Sequence, residues 1–111
     1  MTSAQPWPPP PDLASIAELV RAADPEGYLA QGDPADEYEP EEQAIFAAIA
    51  GWPTARLTAE NILPEIERVW LENFDHRVLP SPTRPALVSL AEQIERFFGP
   101  AARPLTRGAS F

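Results

Sequence analysis

The chain contains no cysteine, no lysine, a single histidine, and no apolar run near the roughly 20 residues that a membrane-spanning helix needs. Each absence removes a class of chemistry. Without thiols there is no disulfide, no thiolate nucleophile and no thiolate metal site, a pattern that fits a reducing compartment. One imidazole, His76, cannot build a two-histidine metal centre. It stands between Asp75 and Arg77 at the expected end of a helix, where a cation is ordinary electrostatics. No serine occupies a nucleophile-elbow frame. The opening residues Met-Thr-Ser-Ala-Gln-Pro-Trp-Pro lack the basic and apolar regions of a secretory signal. The expectation is a cytoplasmic protein that is not an enzyme, binds no cofactor and has no metal ligand set.

All eight basic residues are arginine, and 17 acids give a net charge of −9. This balance argues against nucleic acid, whose phosphates call for clustered Lys and Arg, and against an anionic membrane leaflet. Basic proteins and divalent cations remain as partners.

The acidity is local. Asp24, Glu26, Asp33, Asp36, Glu37, Glu39, Glu41 and Glu42 lie within nineteen positions that hold no base, so this stretch carries −8 of the −9 and the remainder sums to −1. Tyr28, Leu29 and Tyr38 are interspersed among the acids. A purely solvated charge run has little use for two tyrosines and a leucine, so an ordered loop is expected.

On either side, apolar residues recur at helical spacing. Asp12 stands at a cap position before Leu13, Ile16, Ala17 and Val20, and Asp24-Pro25 closes that first helix. A second helix is expected to open with Glu39 as cap and Pro40 at its first position, to bury Ile45, Phe46 and Ile49, and to stop at a left-handed Gly51 before Trp52, which covers Phe46 and Ala47. Thr58 caps a third helix, with Leu57 and Ile62 as a hydrophobic staple and Ile66, Val69, Trp70 and Phe74 on its face. Pro64 conflicts with that pattern and predicts a kink there or a fresh start. The fourth helix runs from about Thr83 to Gly99-Pro100, through Leu87, Leu90, Ala91, Ile94, Phe97 and Phe98, with a Glu92–Arg96 pair on its wet face. No segment alternates apolar and polar residues over a strand's length. A compact all-α, four-helix domain over residues 12–99 is expected, with a proline-rich arm over 1–11 and a flexible tail over 100–111.

The linker carries a motif. The runs Asp24-Pro25-Glu26-Gly27-Tyr28-Leu29 and Gly32-Asp33-Pro34-Ala35-Asp36-Glu37-Tyr38-Glu39-Pro40-Glu41 resemble the YugE-like family of small acidic helical bacterial proteins. Trp70, Phe74 and Ala91-Glu92-Gln93-Ile94 fall where that pattern has an aromatic helix end and a C-terminal helix. Asp33, Glu39 and the proline-rich arm depart from it. The resemblance covers residues 12–99 and implies an all-helical fold, with a hint of an immunity or accessory role and no activity attached.

Two binding roles follow from the acidic stretch. The first is docking of a basic protein through Tyr28, Asp33, Asp36, Glu37, Tyr38, Glu39, Glu41 and Glu42: crowded like charges repel, a cationic partner relieves them, and tyrosines supply rigid contact area. The second is a divalent-cation-responsive module, because Asp33, Asp36, Glu37 and Glu39 offer several oxygens, though without the alternating frame of a calcium loop. A structural account stands beside both: Glu39, Glu41 and Glu42 gain from the dipole of the helix they begin, and Asp36 suits a turn. Glu65, Arg68 and Glu72 are expected to form solvated ion pairs.

Overall fold

In a computed structural model of the protein, residues 9–73 and 83–102 are described. The ends of the expected arm and tail, with Trp7, Arg103 and Arg107, fall outside them. So do Phe74, Asp75, His76 and Arg77.

The Asp12 carboxylate starts α1 (Leu13–Ala23) by accepting from the Ser15 N–H at 2.8 Å and the Ser15 hydroxyl at 3.0 Å. This satisfies one of the amides that every helix leaves unpaired at its start. The helix buries Ile16 and Val20 and stops at Asp24.

After the acidic linker, a 3₁₀ turn (Ala35–Tyr38) leads into α2 (Glu39–Ile49). Its cap position is Tyr38 rather than Glu39, and no side chain caps it. Pro40 stands in the first turn, where no intrahelical donor is missed. Nor does α2 end as expected. Only Gly27 and Gly32 among the described glycines have positive φ, and Ala50 after the helix is right-handed, so Gly51 is no left-handed stop. The Trp52 N–H instead closes a turn onto the Ile49 carbonyl at 3.0 Å, and the Arg56 guanidinium lies 4.0 Å from the Trp52 ring.

A second 3₁₀ turn (Thr54–Arg56) precedes α3 (Ala59–Asn73). Leu57 and Ile62 are both buried, as a staple requires. The first amide of α3, that of Ala59, donates to the Glu95 carboxylate of the last helix at 2.9 Å. Pro64 does not divide α3, which runs through it as one element. The missing N–H falls on an exposed residue, where water can serve the orphaned carbonyl.

The last helix, α4 (Arg84–Phe98), buries Leu87, Leu90, Ala91, Ile94 and Phe98. Arg68 pairs with Glu65 at 3.0 Å and with Glu72 at 3.2 Å as expected, whereas Glu92 and Arg96 form no ion pair. Arg96 instead lies 5.8 Å from the Phe97 ring.

The chain is all-helical, with four α-helices and no strand among the described residues. Its helices form a closed ring of contacts, α1 on α2 and α4, and α3 on α2 and α4. Their apolar stripes meet in one core of which Trp70 and Tyr38 are the largest fully buried side chains. Among the described residues no helix is long and apolar enough to cross a membrane.

The ring is locked at Gly99, where an added Cβ would sit 2.5 Å from the Leu57 carbonyl oxygen and 2.7 Å from that of Glu95. Both are backbone atoms that cannot swing aside. Gly99→Ala is therefore expected to cost about 1–3 kcal/mol, in the range of other overpacked sites. Gly51→Ala, with open space and no positive φ, should leave the thermal midpoint unchanged or slightly higher. Thermal unfolding of the two variants side by side checks this.

Candidate binding surface on the acidic loop

The eight acids from Asp24 to Glu42, in the linker after α1 and the first turn of α2, divide into an inward and an outward set. The division begins at Asp24, which takes the left-handed conformation (φ 44°, ψ 59°), the only non-glycine among the described residues to do so. Proline at the next position opposes a helical backbone, and aspartate tolerates the left-handed region better than most residues. The turn aims its carboxylate back over the loop. Asp24 Oδ1 accepts from the Leu29 N–H at 3.1 Å and the Tyr38 hydroxyl at 2.7 Å, and Oδ2 accepts from the Ala30 N–H at 2.9 Å.

Tyr38, fully buried, extends this network. Its hydroxyl accepts from the Glu26 N–H at 2.8 Å while donating to Asp24, so both its capacities are used. Its ring stacks on Tyr28 (centroids 5.5 Å apart) and tilts against Trp70 (6.0 Å). Glu26 reaches the core as well: its Oε2 accepts from Trp70 Nε1 at 2.8 Å and, more weakly, from the Thr83 hydroxyl at 3.4 Å. The loop is thus tied to α1, α3 and the start of α4 by two carboxylates and one phenol.

Two further acids turn inward from α2. Glu42, 2% exposed, receives both arms of the Arg21 guanidinium, Nε to Oε2 at 3.0 Å and Nη2 to Oε1 at 3.2 Å. Glu42 raises the Arg21 pKa by this hydrogen bond and by its charge. Glu41, 5% exposed, accepts from Asn73 Nδ2 at 3.0 Å through Oε2, while its Oε1 is buried without a hydrogen-bond partner. Burial pushes the Glu41 pKa above its ordinary 4.5 against the opposing pull of the Asn73 bond.

Asp33, Asp36, Glu37 and Glu39 form the outward set. Asp36, Glu37 and Glu39 are exposed, and none of the four is in an ion pair with a described residue. Asp33 is half-buried and accepts from Gln31 Nε2 at 2.9 Å. Tyr28, also half-buried, has its phenol pKa raised by burial first and then by the charges of Glu26, Glu37, Glu41 and Asp33, so it marks where the two sets meet.

Three of the expected contact residues are therefore corrected. Tyr38, Glu41 and Glu42 face the interior, because the same helical phase that buries Ile45 and Ile49 buries Glu41 and Glu42, three to eight residues earlier. That phase was readable in the sequence. The hydrogen-bonding roles of Asp24 and Glu26 were not, since they depend on a left-handed turn and on Trp70, which lies 44 residues from Glu26.

No protein-family model, no curated protein and no solved structure matches the chain. The likeness to the YugE-like proteins rests on its motif residues alone.

Two measurements test this geometry. Asp24→Ala strips acceptors from Tyr38 and two amides and leaves alanine in the left-handed region, with an expected loss of at least about 2 kcal/mol. Asp24→Asn, which keeps the turn, should lose less. Burial alone would raise the Asp24 pKa, but the bonds from Tyr38, Leu29 and Ala30 outweigh it and hold it below the ordinary 3.8. The native state then binds this proton less readily than the unfolded chain. Its contribution is present above about pH 4 and lost as pH falls through the native value, so wild type should lose stability in acid more steeply than Asp24→Asn.

Glu41 has the opposite sign. Its raised pKa means that the native state holds the proton more tightly, so its contribution is present below pH 4.5 and lost as pH rises through the native value. Glu41→Gln should raise the thermal midpoint, and more at pH 7 than at pH 4. A pH series of melts reads both effects.

Proposed function

We propose that the protein is a non-enzymatic binding module of the cytoplasm that docks a basic partner protein through the outward edge of its acidic loop, Asp33, Asp36, Glu37 and Glu39, with the exposed part of Tyr28 beside them. One observation carries this reading: the inward acids are engaged by hydrogen bonds or by Arg21, whereas the outward acids have no cation of their own among the described residues. Arg21, close enough to feel the charges of Asp36 and Glu39, is already committed to Glu42.

A fixed array of like charges favours this role over simple solvation. The charges repel one another, and the approach of a cationic surface relieves that repulsion while accelerating encounter at low salt. Because Asp24 and Tyr38 already hold the loop in shape, a partner need not order it on binding. Two of the outward acids, Asp36 and Glu37, match the motif that resembles the YugE-like proteins, in keeping with an immunity or accessory role beside a basic protein, while Asp33 and Glu39 depart from it.

The divalent-cation reading has less support. Among the described residues no group of three or more His, Cys, Asp and Glu side chains is placed to hold a metal ion. Asp33 and the three exposed acids spread along the loop and the first turn of α2 rather than converging.

The variant Asp36→Asn, Glu37→Gln, Glu39→Gln tests the proposal, because all three side chains are exposed and the fold does not depend on them. Wild-type protein used as bait at low salt is expected to retain a basic protein identifiable by mass spectrometry. The purified pair should weaken at least tenfold on the triple substitution and on raising salt to physiological strength. Unchanged affinity under both would refute the docking surface. Circular dichroism of the variant should match wild type.

A further inference from the structure

One carboxylate of the acidic segment is buried without its full set of partners. Glu41 is 5% exposed, its Oε2 accepts from Asn73 Nδ2 at 3.0 Å, and its Oε1 has no hydrogen-bond partner. We propose that Glu41 is the socket for an arginine side chain of the basic partner, the guanidinium displacing the Asn73 amide and bonding both carboxylate oxygens. The inference rests on the docking role of the acidic loop and names the group that anchors the partner there.

The adjacent residue supplies the template. Glu42, 2% exposed, receives two arms of the Arg21 guanidinium, whose forked donors match the two oxygens of a carboxylate. Glu41 is in no ion pair with a described residue. A single neutral bond leaves it with an unserved acceptor, which is costly in a buried site. Burial pushes its pKa up, and the charges of Glu42 and Glu37 add to the effect. A cation supplied from outside removes both penalties.

Access runs past Asn73, an exposed residue at the end of α3. Exposed side chains change rotamer within nanoseconds, so its amide can swing aside. The exposed Glu37 acts electrostatically on Glu41, and both act on the half-buried Tyr28. An incoming guanidinium therefore meets a second carboxylate and an aromatic ring near the socket. A lysine ammonium is a point charge without the fork. A divalent ion would need more oxygens than converge here, since no group of three or more His, Cys, Asp and Glu side chains is placed to hold one among the described residues.

Carboxyl-carbon nuclear magnetic resonance of the full chain, titrated with argininamide at low salt, tests the inference without the partner. The Glu41 carboxyl signal, identified by its loss in Glu41→Gln, is expected to shift saturably, and the Asn73 side-chain amide to shift with it. Lysinamide should bind several-fold more weakly. Asn73→Ala, which removes the competing amide, should tighten argininamide binding. Glu41→Gln should abolish the Asn73 response and weaken the purified partner at least tenfold, with circular dichroism unchanged. The proposal is overturned by an absent Glu41 shift, by an equal response to lysinamide, by weaker argininamide binding in Asn73→Ala, or by a guanidinium of the chain itself already bound to Glu41 before titration. If the partner is lost on Asp36→Asn, Glu37→Gln, Glu39→Gln but held by Glu41→Gln, the docking surface stands and the socket falls.

Discussion

The loop takes its shape from one carboxylate. Asp24 leaves α1 in a left-handed turn and gathers two amides and a phenol, and each bond fixes a part of the chain that would otherwise be free. Leu29 and Ala30 are drawn back over the helix end, and Tyr38 is pulled into the core just before α2 begins. Once Tyr38 is placed, its ring positions Tyr28 and Trp70, and its hydroxyl orders Glu26. Strain at a non-glycine left-handed residue costs on the order of 1–3 kcal/mol. Three hydrogen bonds to an ionised group are sufficient to offset it.

The negative charge of this segment consequently serves two ends. Asp24, Glu26, Glu41 and Glu42 are internal fasteners, each meeting a donor on another element or in the loop itself, and Glu42 with Arg21 joins α1 to α2 by a two-armed bond. Asp36, Glu37 and Glu39 have no such internal role among the described residues. Composition alone treats the eight acids as one cluster, yet only half of them face outward. Glu41 is the least comfortable of the inward set, with one oxygen served by Asn73 and the other buried without a partner. Its neighbour Glu42 has a full guanidinium instead.

Much of the fold was legible because helical periodicity is a local property. Ile16 and Val20, the stripe of Ile62, Ile66, Val69 and Trp70, and Leu87, Leu90, Ala91, Ile94 and Phe98 are all buried where their spacing puts them, whereas Phe97 at the edge of the last stripe is only half-buried. Asp12 caps α1 through its own side chain, three residues from its partner. The misses arise where the deciding contact is remote or where the backbone has several solutions. Gly51 has room for a left-handed stop, but α2 ends in a turn closed by Trp52. Of the two outcomes open at Pro64, the fresh start does not occur, because the packing of Ile62, Ile66 and Val69 on both sides of it keeps α3 one element. The start of α3 depends on Glu95, 36 residues on from Ala59, and no local pattern announces that pairing.

The placement of charge also gives the molecule a polarity of its own. Outside the segment from residue 24 to residue 42 the formal charge is only −1, so nearly all of the excess sits on the linker after α1 and the first turn of α2. Such a body has a large electric dipole moment as well as a net charge. In the field of a cation-rich surface it experiences a torque before any contact is made, and it arrives already turned with that segment leading.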